Sequence, residues 1–546
     1  VSELKRVAPE LLLVVVTVLV SIAFVANALH LSGFCGRLAL PPQFDDVVYL
    51  LSGFELFETS LSSPLGSVLT ALFDQHAPFQ SFLAFAGYRL FGVSHWSAYQ
   101  ANGIPLVAFM LGVLWMTRSI DVVSRLSIVV IVLATPFTTN LVTEFRPDLF
   151  WGLLCGFAIL LLLHPGLLDH PGKIRMGAVV LGVAALHAKP SAAPATALLL
   201  ATAVVAAVGI RMIYRPLSPR ETAIRLAVPL AIALVILAPF FLANARRIYE
   251  YIHLALIAWH DVNHFKGSLL DHAFFHSFGL TYRTALFTTL WIGIAAFIIE
   301  GVRLRRSSLD QDLAYHLALV GVVILAYLIP TISGVKSYFL GGIFYGTFIV
   351  AAIGSLVSTV RASNEHRNGV GYAARWALPV IACLTLLTAP GLPLVDVWDR
   401  QLAVESNAVY QQMMSAIARD SSQRDLTDAV KPLPRPSPQP VHVYTPSPFV
   451  MNGHAISLIA RWEGKRIVGT EGYYTRTIPE QQANLAKSNY VILSEVHDTR
   501  YPGSTLSPQL LELVEADPRF ETISVFRHAN GLRTFLFRNR RAEPPG

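Results

Sequence analysis

Asp45 and Asp46 are adjacent acids in the segment Pro41-Pro42-Gln43-Phe44-Asp45-Asp46-Val47-Val48-Tyr49, just after the first long apolar run of the chain. A carboxylate in such a place can accept a proton from a reacting group or share a divalent cation with its neighbour. It can also do no more than cap a helix or favour its first turn. Cations recur near predicted membrane edges: Lys189 in Ala188-Lys189-Pro190, the pair Arg246-Arg247, Lys266 and Lys336. An ammonium at such an edge is costly unless it snorkels or binds an anion, which makes Lys189 a candidate anion ligand. Each of the others reads first as an interface anchor and second as an anion ligand. His76 in His76-Ala77-Pro78 and the run Arg146-Pro147-Asp148 complete the set. The latter also matches a plain helix start, with Pro in the first turn and an acid on the dipole.

These residues must be held by a membrane protein. With 53% hydrophobic and 14% charged residues over 546 positions and a mean hydropathy of +0.52, the chain cannot be arranged as a soluble globule. Leu11 to Leu29 is the first span, since about 19 residues reach roughly 29 Å, close to the hydrocarbon thickness. No small-residue cleavage region follows it, so it reads as a retained helix. The net charge of +7 is not a nucleic-acid footprint, because the basic residues fall in alternate connections between apolar runs. Under the positive-inside rule Lys5, Arg6, Arg118, Arg125, Lys173, Arg175, Arg211, Arg215, Arg303 and Arg361 are cytoplasmic. Spans are then expected near 11–29, 99–117, 126–142, 147–163, 174–188, 191–212, 223–243, 285–302, 313–330, 337–358 and 374–391. That is about eleven crossings, with the N-terminus cytoplasmic and the C-terminus extracytoplasmic.

One apolar segment, Pro78 to Val93, is too short to span. It is expected to lie along the membrane as a helix ending at Phe91, with Phe79, Phe82, Leu83, Ala86 and Leu90 on one apolar face and Gln80, Ser81 and Arg89 elsewhere. With a second helix from Asp46 to Glu58, it sits in a first extracytoplasmic loop (30–98) of about 70 residues, a length usually tied to function. The membrane domain covers 1–392. A polar helical stretch and a proline-alternating run, Lys431 to Pro440, make a semi-rigid linker over 393–440. Strand-like runs at Val441 to Tyr444, Tyr490 to Leu493, Thr522 to Phe526 and Leu532 to Phe537 alternate with helical patterns near 479–486 and 507–514, giving a small α/β domain over 441–546. Cys155 and Cys383 fall inside predicted spans and Cys35 beyond the first, so no disulfide framework is expected.

The order of features resembles a known family. The acid pair after the first span, His76 and Pro78, Leu90-Phe91-Gly92-Val93 closing a surface helix, Arg146-Pro147-Asp148 opening a span and Lys189-Pro190 after a short one resemble the GT-C integral-membrane glycosyltransferases. The nearest subgroup is the bacterial relatives of protein O-mannosyltransferases and of the lipid A aminoarabinose transferase. The resemblance covers roughly residues 1–390. Where the family has His-Pro-Pro this chain has His76-Ala77-Pro78, and where it has an Arg after Leu-Phe-Gly, Tyr99 and Gln100 stand here.

The resemblance implies a polytopic α-helical protein of the bacterial cytoplasmic membrane with its C-terminal α/β domain outside. It would move a sugar from a polyprenyl-phosphate donor to a hydroxyl of a glycan, lipid or protein acceptor. Asp45, or Asp46 in its stead, would be the general base. The leaving phosphate would be met by Lys189, Arg246, Arg247, Lys336 and His76, supported by Arg146 and Asp148. No cofactor follows from it; a divalent metal on the adjacent acids is compatible, although no further ligands are recognisable. A lipid-linked sugar flippase or transporter is the main rival, but such proteins pair ionisable groups near mid-bilayer, where the expected spans carry almost no acids. A polysaccharide polymerase or ligase would use an external loop without explaining this order of features.

Overall fold

A computed structural model of the chain describes residues 2–42, 44–75, 77–169, 172–215, 218–254, 257, 264–277, 285–336, 338–366, 376–384, 400–421, 440–446, 451–495 and 502–541. His76 and all but the last residue of the proline run lie outside them. The chain forms two compact units. Val1–Ala28, Ser63–Phe82 and Gln100–Leu394 make the first; Leu29–Ser62, Leu83–Tyr99 and Val395–Gly546 make the second.

The first unit is helical. Among the described residues six helices are long and apolar enough to cross a membrane: Glu10–Phe34, Ser97–Thr117, Pro190–Tyr214, Pro219–His253, Asp310–Ile332 and Gly342–Ala362. A seventh crossing results if Val122–Leu133 and Pro136–Thr143, bent by 58° at the break, count as one span. The break falls at Thr135-Pro136, where the missing proline N–H interrupts the hydrogen-bond ladder. Expected spans at 147–163 and 174–188 are helices of 15 and 16 residues, Asp148–Leu162 and Lys173–Ala188. The segment expected over 285–302 is helical as Ala285–Arg306. Of 374–391 only 376–384, a helix, is described.

α1 (Ser2–Cys35) illustrates the lateral logic. Leu13, Thr17, Ser21 and Val25 recur every four residues and are buried, while Leu11, Leu12, Val15, Leu19 and Ile22 point outward, as small and weakly polar residues pack and large apolar ones face lipid. Arg125, buried, pairs with Glu10 near the N-terminal end of α1 at 2.6 Å.

Asp148–Leu162 and Gly342–His366 pack backbone to backbone. Gly152 and Gly156 on one helix face Gly342 and Gly346 on the other, and a methyl group at Gly152 would collide with the Gly342 carbonyl oxygen. This is the small-residue crossing that membrane helices use in place of hydrophobic association.

In the second unit, α2 (Phe44–Ser62) carries Asp45 and Asp46 in its first turn. It starts two residues before the expected position, so Asp45 lies inside the helix and not at its N-cap. Val47, Leu50 and Phe54 form its buried face, each worth about 1.5–3 kcal/mol on full burial. Pro64 precedes α3 (Leu65–Phe73), a helix of the first unit that the sequence reading left without an element.

α4 (Pro78–Phe91) has the expected bounds and is closed by Gly92, whose φ of +81° only glycine adopts freely. Of its expected apolar face, Phe82 and Leu90 are exposed, Phe79 and Ala86 half-buried and Leu83 buried. Gln80 and Ser81 are buried with Leu83, Ala84 and Tyr88, while Phe82, Leu90 and Phe91 are exposed. Tyr88 locks α2 in place, its hydroxyl donating to the Leu50 carbonyl at 3.4 Å and its ring meeting Phe54 edge-on at 5.4 Å.

The C-terminal part of this unit is a five-stranded sheet of order β2-β1-β3-β5-β4, with β1 Val441–Thr445, β2 Ile467–Glu471, β3 Tyr490–Ser494, β4 Phe520–Arg527 and β5 Arg533–Asn539. β1 runs parallel to β2 and β3, and β5 antiparallel to β3 and β4. Four of these strands match the expected runs; β2 and the Gly453–Trp462 helix before it match none. The Arg400–Asp420 helix and the Gly453–Trp462 helix share one core with the sheet.

Candidate functional site

The two adjacent acids have different surroundings. Asp46 is fully buried. One carboxylate oxygen lies 2.7 Å from the Arg37 guanidinium and the other accepts from the Tyr99 hydroxyl at 3.0 Å. Arg37 comes from a single 3-10 turn, Arg37–Ala39, tied back to α1 by the Leu38 N–H donating to Ser32 Oγ at 3.2 Å. Asp45, one residue earlier and 100° round the helix, is only half-buried.

Tyr99 stands on α5 (Ser97–Ala101). The His95 ring stacks on it with centroids 6.1 Å apart and planes at 23°, and meets Trp462 edge-on at 5.9 Å. Burial pushes His95 down to about 4, against the pull of the Asp46 carboxylate. At neutral pH this imidazole is therefore uncharged.

In the first unit, half-buried Lys189 forms an ion pair with buried Asp148. The Lys189 ammonium also lies 5.3 Å from the Trp151 ring centroid, and Trp151 Nε1 donates to Thr196 Oγ1 at 2.8 Å. Arg146, two residues before Asp148, is buried as well. Asn102 fixes the approach to it, donating to the carbonyls of Val142 and Glu144, both at 2.9 Å.

The remaining cations are arranged differently. Arg246 is 90% exposed and pairs along its own helix with Glu250 at 2.8 Å. Arg247 reaches the loop after α3: its guanidinium lies 3.7 Å from the Asp74 carboxylate and donates to the Asp74 carbonyl. Asn244 donates to the Phe73 carbonyl at 3.0 Å. The helix end bearing both arginines is thus stapled to the residues just before His76. Lys336 Nζ donates to the carbonyls of Pro330 and Thr331, at 2.8 and 2.5 Å, closing the C-terminus of the Asp310–Ile332 helix. Lys266, exposed, follows an antiparallel bridge between His264 and Val335.

The structure therefore brings Asp148 to Lys189 and the Arg247 end to Asp74, in the first unit, and gathers Arg37, Tyr99, His95 and Trp462 about Asp46 in the second. None of these last four was singled out as a site residue from the sequence. One departure from the pattern was the available signal, since Tyr99 and Gln100 stand where an Arg was expected. Among the described residues no three or more of His, Cys, Asp and Glu gather as a metal site would require.

No protein-family model matches the chain, and no curated protein matches it by sequence. Solved structures do resemble it. The crystal structure of ArnT from Cupriavidus metallidurans bound to undecaprenyl phosphate aligns at a TM-score of 0.55 and 15% identity, over 98% of this chain and 99% of that one. The apo state of the same protein aligns at 0.53 and 14%, over all of both chains. The chain has the ArnT-like fold from end to end, and the resemblance to GT-C membrane glycosyltransferases read from the sequence is met at the level of that fold.

Proposed function

We propose that the protein is a glycosyltransferase of the bacterial cytoplasmic membrane that moves a sugar from a polyprenyl-phosphate donor to an acceptor hydroxyl. A shared fold does not fix chemistry, so the reading is carried by one observation: a half-buried carboxylate, Asp45, next to a second carboxylate, Asp46, that is fully committed to Arg37 and Tyr99. A buried acid pinned by a guanidinium and a phenol is an anchor. Its neighbour Asp45, one residue earlier on the same helical turn and half-buried, is the acid we assign to the substrate.

In this reading Asp45 takes the proton of the acceptor hydroxyl as its oxygen bonds to the anomeric carbon, and the bond from that carbon to the phosphate oxygen breaks. The polyprenyl phosphate leaves with the electron pair, and direct displacement inverts the anomeric configuration. The crystallised ArnT holds undecaprenyl phosphate, which supports a lipid of that class as the carrier. The charge growing on the phosphate needs cations aimed at it. We assign that task first to Arg246 and Arg247, whose helix end is fixed to Asp74 and Phe73, just before His76 in sequence. Lys189 can join while one of its three N–H donors stays on Asp148, with Arg146 and Asp148 shaping its surroundings. Lys336 spends two of its three donors on helix-terminal carbonyls, so it is placed after the arginines. The glycan, lipid or protein nature of the acceptor and the external position of the C-terminal domain belong to this proposal.

The test is a membrane assay with a panel of labelled polyprenyl-phosphate sugars, comparing the native chain with Asp45→Asn. Transfer by the native protein and its loss in the variant support the reading; no transfer from any donor in the panel, or full transfer by Asp45→Asn, refutes it.

A further inference from the structure

The second unit joins the helix of the proposed base to the C-terminal domain as one packed body. Val47, one residue past Asp46, is fully buried in the core that holds Met413, Ile456, Ala460 and Ile492. Farther along α2, Arg461 of the Gly453–Trp462 helix reaches Glu55 at 3.1 Å and Glu58 at 3.8 Å. Trp462, the last residue of that helix, meets both the Tyr88 ring, at 6.4 Å, and the His95 ring, at 5.9 Å. His95 in turn stacks on Tyr99, whose hydroxyl holds Asp46.

A helix fixed at its first turn alone can still tilt and roll. Fixed also two to three turns later, it can do neither, and the direction of Asp45 is set. We propose that the C-terminal domain is the mount of this carboxylate, with Arg461 and Trp462 as positioning residues that orient α2 and, through His95 and Tyr99, its first turn. The inference rests on Asp45 being the base of the proposed transfer. It departs from the plain expectation for a domain that follows a membrane body, which is that it serves the acceptor alone. Under that expectation, release of the donor sugar to water would not need it. Under the mount, hydrolysis and transfer depend on it equally.

The experiment uses the full chain carrying Trp462→Ala, Arg461→Ala or the conservative Trp462→Phe. Hydrogen exchange of residues 44–62 and 490–494 is followed beside the kcat and donor KM of both hydrolysis and transfer. The expected result is faster exchange in 44–62 with the 490–494 strand still protected, and a kcat lowered about 10- to 100-fold for both reactions, as misplacement of about 1 Å costs. Donor KM stays near the native value, and Trp462→Phe restores most of the rate. Unchanged exchange in 44–62 in both alanine variants overturns the proposal, as does loss of transfer with hydrolysis intact. If the native protein turns over no polyprenyl-phosphate sugar, the assignment of the base falls, while the exchange measurement still decides whether the domain holds α2.

Discussion

Replacing each acid of the pair by its amide separates anchor from base. Asp46→Asn keeps the shape of a fully buried side chain but removes its charge, leaving the Arg37 guanidinium 2.7 Å away without its counter-ion. Breaking a buried ion pair from one side typically costs about 3–5 kcal/mol, and the Tyr99 hydroxyl loses a charged acceptor worth about 1.5–3 kcal/mol, part of the same sum. Asp45→Asn gives up a favourable charge in the first turn of α2, about 0.3–1 kcal/mol. Its expected effect on rate is large, about 100- to 10,000-fold, the usual loss with a positioned base. The assay is denaturant or thermal unfolding in detergent beside donor turnover for both variants. The reasoning predicts a stable, nearly inactive Asp45→Asn and a clearly destabilised Asp46→Asn. An Asp45→Asn variant with near-native turnover would falsify the base assignment. An Asp46→Asn variant as stable as the native protein would show that the buried pair does not hold the turn.

Other expectations follow from single contacts. Lys189→Met or Asp148→Leu alone should each destabilise by about 3–5 kcal/mol, and the double variant by clearly less than their sum; strict additivity in unfolding experiments would mean the pair is not coupled. Arg247→Ala should weaken donor binding at least about tenfold while Lys336→Ala leaves it near native, because one cation faces a loop and the other a helix end; equal losses in donor titration would contradict the assignment. Gly152→Val should fail to reach native stability, since overpacking a filled contact costs about 1–3 kcal/mol or more, whereas Gly209→Ala, which meets nothing within 4 Å, should be tolerated. His95 sits neutral and low, at about 4, against an ordinary value near 6.5. The unfolded chain therefore binds the extra proton as pH falls from about 6.5 towards 4, and stability is lost across that window, on the order of 3 kcal/mol at most. His95→Phe should remove this part of the pH dependence of melting; identical profiles for native and variant would refute it.

What could be read from the sequence was local. α4 has its expected bounds because Pro78 opens it and Gly92 closes it, and both signals act within one turn of the chain. The acid pair stood out because charge is scarce near a first span. β2 escaped notice because five residues, Ile467–Glu471, interrupted by Gly469 at the sheet edge, carry too little periodicity. What encloses each face of α4 was not legible for a deeper reason. Apolar periodicity identifies a face but not the medium it meets, and here Phe82, Leu90 and Phe91 point outward while Gln80 and Ser81 are enclosed. In a chain that meets lipid, water and its own core, those three media assign the same residue to different sides.

The partners of the site could not be read because each lies far along the chain. Nothing in the first loop says that Asp46 will be held by a guanidinium from before it and a phenol 53 residues after it, or that Trp462 will close the same cluster. Those contacts change the meaning of the motif. From sequence, two adjacent acids are interchangeable candidates. Once one is pinned between Arg37 and Tyr99, the 100° step between successive helical residues turns the other to a different face. The same contacts require the first turn of α2 to be rigid, because a base must stay within hydrogen-bond reach of the proton it removes. Residues of the C-terminal domain pack against α2, so the catalytic role proposed for Asp45 and the mounting role proposed for that domain would draw on one piece of packing.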